Sequence, residues 1–99
     1  MEGKHFGAYQ QQCNSGDAEG CHALGAAFAF GSVETTKDEA RSTRLFWKAC
    51  AGQHALSCNS LGRAFRDGIG GTKTDDTIAK KYYAKACTLG HEASCPFAK

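Results

Sequence analysis

The chain has 99 residues and a mass of 10.5 kDa, one domain at most, which excludes barrels, doubly wound sheets and two-lobed enzymes. Apolar residues make up 41% and charged residues 22%, a globular balance, yet a core this small supplies only a few kcal/mol and calls for a staple. The formal charge of +2 is too slight to mark nucleic acid or an anionic membrane as the main partner, and no apolar run approaches the roughly 20 residues of a membrane span.

Helical spacing predicts a first helix from Lys4 to Cys13, with Ala8, Tyr9 and Cys13 in register, followed by a turn at Asn14-Ser15-Gly16-Asp17. Cys21, Leu24, Gly25 and Phe28 then fall at i, i+3, i+4 and i+7, and Gly31 stops that helix. A polar loop from Ser32 to Lys37 leads to Asp38, a predicted N-cap. The third helix carries Leu45, Phe46, Ala49 and Cys50, and turns at Ala51-Gly52-Gln53-His54. Cys58, Leu61, Gly62 and Phe65 repeat the pattern of the second helix, with Gly68 as stop, Ile69 to Thr74 as loop and Asp75 as cap. The fifth helix shows Ile78, Ala79, Tyr82, Tyr83, Ala86 and Cys87, then a turn at Thr88-Leu89-Gly90-His91. A last helix is cut short at Pro96-Phe97-Ala98-Lys99.

These elements are one unit recurring. Cysteines at 13, 21, 50, 58, 87 and 95 form three Cys-x7-Cys pairs at a period of 37. The same shift places Leu24 on Leu61, Gly25 on Gly62, Phe28 on Phe65, Asp38 on Asp75 and His54 on His91. A period of this size means stacked supersecondary units that bury their apolar faces only against their neighbours. The expected fold is an all-α superhelix of antiparallel helix pairs in a single domain over 1–99: a partial unit at 1–23, a repeat at 24–60, and a repeat at 61–97 ending in a truncated helix. Gly25 and Gly62 each cost a helix about 1 kcal/mol relative to Ala, so their place on the apolar stripe predicts a close helix contact.

Two cysteines eight positions apart on one continuous helix would stand about 12 Å apart, beyond the span of a disulfide. A turn intervenes each time, so the repeat pairs Cys13 with Cys21, Cys50 with Cys58 and Cys87 with Cys95. Zinc is the rival use of these thiols. His5, His22, His54 and His91 are present, but no Cys-x2-Cys occurs, and no metal or other cofactor is expected.

The runs Leu61-Gly62-Arg63-Ala64-Phe65-Arg66-Asp67-Gly68 and Ala79 to Cys95 resemble Sel1-like repeats, in particular the disulfide-bearing subclass of the Helicobacter cysteine-rich proteins. The resemblance covers nearly the whole chain. It implies helix pairs related to the tetratricopeptide repeat, a right-handed superhelix, and Cys-x7-Cys bonded across the turn. The chain departs from it in the loop after the first helix of each pair, which usually reads Gly-x-Gly-Val-x-x-Asp. One extra residue stands between Phe28 and Asp38 and between Phe65 and Asp75, and Val33 follows Gly31-Ser32 without a second glycine.

Stacked helix pairs leave a concave groove. The residues expected to face it are His22, Ala26, Ala29 and Phe30 in one copy and Asn59, Arg63 and Arg66 in the next. The first set offers an apolar shelf and the second can donate hydrogen bonds to a carboxylate. The expected partner is a protein or extended peptide bearing an acidic or C-terminal carboxylate, bound by a monomer that acts as an adaptor or secreted interaction module. Alternatively, the resemblance brings β-lactam binding or weak β-lactamase activity. The residues offer it no support, since Ser-x-x-Lys, Ser-Asp-Asn and Lys-Thr-Gly are all missing from the sequence.

Three structural disulfides imply a secreted or periplasmic protein, or alternatively one of the mitochondrial intermembrane space. Met1 to Gly7 shows no basic stretch followed by an apolar run, so the chain is expected to be a mature or recombinant piece. Trp47, opposite Ala84 in the other copy, is expected to pack against a further repeat or to cover the outer helix surface.

Overall fold

A computed structural model describes residues 2–31 and 36–99. Five α-helices follow one another, α1 Glu2–Asn14, α2 Ala18–Phe30, α3 Glu39–Ala51, α4 Ala55–Asp67 and α5 Asp76–Thr88, and a 3₁₀ helix spans Glu92–Ala98. The predicted five helices and a stub are therefore present. Pro96 lies inside the terminal element, where it supplies no backbone donor, and this stretch closes as a 3₁₀ helix. Residues 32–35 of the first predicted loop, with Val33, lie outside the described residues.

The helix limits follow from side-chain chemistry. Asp17 Oδ1 accepts from the Glu19 and Gly20 amides at 3.0 and 3.4 Å, Asp38 from Arg41 at 3.0 Å and Asp75 from Ile78 at 3.0 Å. Each satisfies amides that a helix start leaves unpaired. At the other ends Gly31 and Gly68 take φ of 76° and 72°, a conformation that other residues adopt only with strain. The extra loop residue does not alter the anchoring: Asp38 N donates to Phe28 O at 2.7 Å and Asp75 N to Phe65 O at 2.8 Å. Thr72 Oγ1 pins the second loop to the carbonyls of Ala64 and Ile69, both at 2.8 Å.

Each helix packs on the next in sequence, giving an elongated stack of 42 × 24 × 19 Å. The core is divided accordingly. Cys13, Cys21, Leu24, Phe28 and Ala49 form one buried cluster, and Cys50, Cys58, Leu61 and Ala86 form another with Phe46, Phe65, Tyr82 and Leu89 against it. The close contacts expected at the stripe glycines are present. A Cβ at Gly25 would stand 3.0 Å from the Phe46 ring, and one at Gly62 would stand 2.9 Å from the Tyr83 ring.

Disulfides join Cys13 to Cys21, Cys50 to Cys58 and Cys87 to Cys95, with Cα atoms 4.4, 4.7 and 4.9 Å apart. Each bond crosses the turn that reverses the chain. Gly16, Gln53 and Gly90 occupy equivalent places in these turns, with φ of 94°, 72° and 106°. The α1–α2 and α3–α4 hairpins each have their disulfide in a buried cluster, so the staples sit where a small core needs reinforcement.

Candidate functional site

α2 and α4 stand side by side over α3 and enclose an open groove of about 400 Å³. One wall is His22, Ala26, Ala29 and Phe30 from α2, and the other is Leu56, Asn59, Ser60 and Arg63 from α4. Six of the seven residues predicted to face the groove therefore meet there. Phe30 is 85% exposed at the rim, a large apolar surface left open to solvent.

Arg66 is placed elsewhere. Its guanidinium lies 6.0 Å over the Tyr83 ring and 5.5 Å over the Phe97 ring, and its Nε donates to Asp67 at 3.1 Å. That hydrogen bond holds the Asp67 carboxyl below the usual range and raises the guanidinium. Arg66 lies three residues beyond Arg63 on α4, where the Tyr83 and Phe97 rings draw its guanidinium towards the 3₁₀ helix and away from the groove.

The floor comes from α3, and sequence reasoning did not include it. Glu39, Ser42, Thr43 and Phe46 line it, with Ile69 at one end. Their spacing of i, i+3, i+4 and i+7 is a helical stripe, but the sequence reading places only Phe46 of these on the apolar stripe. Phe46 serves both, since its ring also closes on Gly25.

A polar node ties the two walls together. His22 Nδ1 lies 2.7 Å from Ser57 Oγ, and the Ser57 hydroxyl and amide stand 3.2 and 3.4 Å from His54 Nδ1. Because the amide can only donate, His54 Nδ1 must carry a lone pair, which makes this imidazole the N-cap of α4. The two rings stack at 4.4 Å. One repeat further on, His91 Nδ1 lies 2.7 Å from Ser94 Oγ, whose hydroxyl donates to Asn59 Oδ1 at 2.8 Å. That bond fixes the Asn59 amide oxygen and leaves its NH₂ group as the donor for the groove. Ser57 and Ser94 are fully buried, so neither hydroxyl can meet a substrate carbonyl, and both serine–histidine pairs act as structural joints.

Burial, and then the neighbouring His54, lower the pKa of His22, while Glu19 opposes them. A histidine with a lowered folded pKa contributes stability that is whole above the unfolded value of 6.5 and fades as pH falls towards the folded value. The melting temperature is therefore expected to drop between pH 7 and pH 5.5. His22→Asn, which places there the residue found at 59, is expected to flatten that slope in a thermal melt series.

Among the described residues no group of three or more His, Cys, Asp and Glu side chains is gathered to hold a metal ion, and no cysteine is free. Among the described residues no helix is long and apolar enough to cross a membrane.

The architecture is that of a disulfide-stapled array of antiparallel helix pairs. The Sel1 repeat model matches residues 18–54 and 55–91, and the chain belongs to the Sel1 repeat family. Sel1 repeats form scaffolds typical of protein–protein interaction. Cysteine-rich protein B of Helicobacter pylori is 28% identical, with a TM-score of 0.91 over 97% of this chain and 71% of its own. Three disulfides and this likeness point to an extracytoplasmic setting. A protective antigen of uropathogenic Escherichia coli with the same repeat fold is 26% identical, with a TM-score of 0.82 over 88% of this chain and 18% of its own. A Sel1 repeat protein of Oxalobacter formigenes, 23% identical, shares the fold with a TM-score of 0.83 over 87% of this chain. The chain spans about a third of that protein's length (35%). No curated protein matches the sequence.

Proposed function

We propose that the chain is an interaction module whose groove between α2 and α4 takes an extended peptide segment of a partner protein. The observation that carries this reading is the pairing of an apolar shelf at Ala26, Ala29 and Phe30 with two donors, Arg63 and the Asn59 NH₂ group, across one groove. The shelf takes an apolar side chain, and Arg63 and the Asn59 NH₂ group donate to a carboxylate, acidic or C-terminal. Among the described residues no salt bridge engages Arg63, so its charge is available to a ligand. The seventh predicted residue, Arg66, contributes only where a peptide runs past the groove towards the 3₁₀ helix. The module works as a monomer in a secreted or periplasmic setting, where its disulfides persist.

Peptides selected from a random library on the immobilised oxidised protein test this. The enriched sequences should share a carboxylate next to an apolar residue, and Arg63→Ala should weaken them about tenfold or more, the scale of one charged hydrogen bond. Binders that ignore Arg63→Ala and Asn59→Ala would contradict it.

A further inference from the structure

Trp47 is the only tryptophan of the chain and is 60% exposed. Its ring is nevertheless held in place. The indole Nε1–H donates to the Tyr82 hydroxyl at 3.1 Å, across from α3 to α5. Tyr82 in turn stacks on Phe65 at 5.8 Å with the rings 14° apart, and both pack against the second core cluster. An exposed aromatic side chain fixed in this way loses little freedom when a partner covers it, and such residues dominate binding energy at interfaces.

A hollow opens on each side of the indole. One, of about 240 Å³, is bounded by Trp47, Ala51 and Tyr82 together with Lys81 and Lys85. The other, of about 250 Å³, is bounded by Trp47, Ala40 and Phe65 together with Arg44. Among the described residues three cations line these hollows and no carboxylate does. Lys81 Nζ lies 5.9 Å from the Tyr82 ring centroid, which brings its charge over the aromatic surface. The groove described above shares only Thr43 with them, so the two surfaces are separate.

Apolar hollows on a rigid aromatic ridge call for an apolar side chain, and cations at both ends call for negative charge around it. We infer that α3 and α5 form a second docking surface, for an acidic protein segment in which one leucine-like or phenylalanine-like anchor is flanked by carboxylates. A second copy of the chain is disfavoured, because the same cations would face each other.

Trp47 is its own reporter. The probe is an acetylated, amidated peptide with one leucine between runs of glutamate, titrated into the oxidised full chain at low salt. Emission from Trp47 should shift to shorter wavelength and saturate. The affinity should fall at least tenfold for Lys81→Glu/Lys85→Glu and fall steeply with added salt, and Arg63→Ala should leave it unchanged. With a labelled peptide, polarisation should show the same loss for Trp47→Ala. The inference is overturned if the glutamate peptide gives no saturating response, if a glutamine version binds equally well, if the charge reversal changes nothing, or if phosphatidylserine vesicles or an oligonucleotide shift the emission where the peptide does not.

Discussion

Replacing Cys50 and Cys58 together by alanine is expected to lower the stability of the fold by about 3 kcal/mol. Closing a loop of this length restricts the unfolded chain by roughly 2 to 3 kcal/mol on the chain-entropy account. Cys58 is fully buried and Cys50 is 1% exposed, so the missing sulfur atoms also leave a small void in the second core cluster. For a chain of 99 residues this corresponds to a fall in melting temperature of about 10 to 20 °C. Calorimetry of the double variant against the oxidised parent measures it directly. A fall of only a degree or two would mean that the helices stack without the bond. The effect should also reach the groove, because this disulfide joins α3, its floor, to α4, one of its walls.

The second large effect is expected at Gly62. A Cβ there would come within 2.9 Å of three atoms of the Tyr83 ring, and Tyr83 cannot retreat, being 2% exposed and packed against Phe97 at 5.2 Å. Gly62→Val should therefore cost about 2 kcal/mol in chemical denaturation, the usual scale of forced overpacking. The control lies in α1, where nothing stands within 4 Å of a Cβ at Gly7. Gly7→Ala should gain several tenths of a kcal/mol from helix propensity alone. In a double-mutant cycle, Tyr83→Ala should remove most of the Gly62→Val penalty, because the three nearest atoms all belong to the Tyr83 ring. Equal costs for Gly62→Val with and without Tyr83 would show that the glycine serves some other purpose.

The helices were legible because each is written twice or three times. The 37-residue period set cysteines, stripe glycines and capping aspartates in the same register, and one copy checked the next. The disulfide pairing followed from a length argument that the turns resolved. The groove walls were legible for the same reason: α2 and α4 are copies, so their unburied neighbours were expected to face one hollow. The floor was not legible, since Ser42 and Phe46 look like solvent and core positions until α2 and α4 are seen to part above α3. Arg66 was grouped with Arg63 because three positions along a helix share a face, yet the boundary between one inter-repeat space and the next runs between them. The histidine and serine joints could have been found, because His54 and Ser57 recur as His91 and Ser94. What the pattern could not give was their contact with His22 and Asn59, each on the equivalent helix of the preceding repeat, which is a matter of packing. Trp47 has Ala84 as its counterpart, so repetition was silent there, and its contact with Tyr82 needed three-dimensional placement.

Amide chemical-shift mapping of the isotopically labelled, oxidised chain with a library-selected peptide tests the groove most directly. The account predicts perturbations gathered at His22, Ala26, Ala29, Phe30, Asn59 and Arg63, with those signals returning to their free positions when Arg63→Ala is used instead. Perturbations confined to the outer face of α3 and α5, with the α2 and α4 signals unmoved, would contradict it.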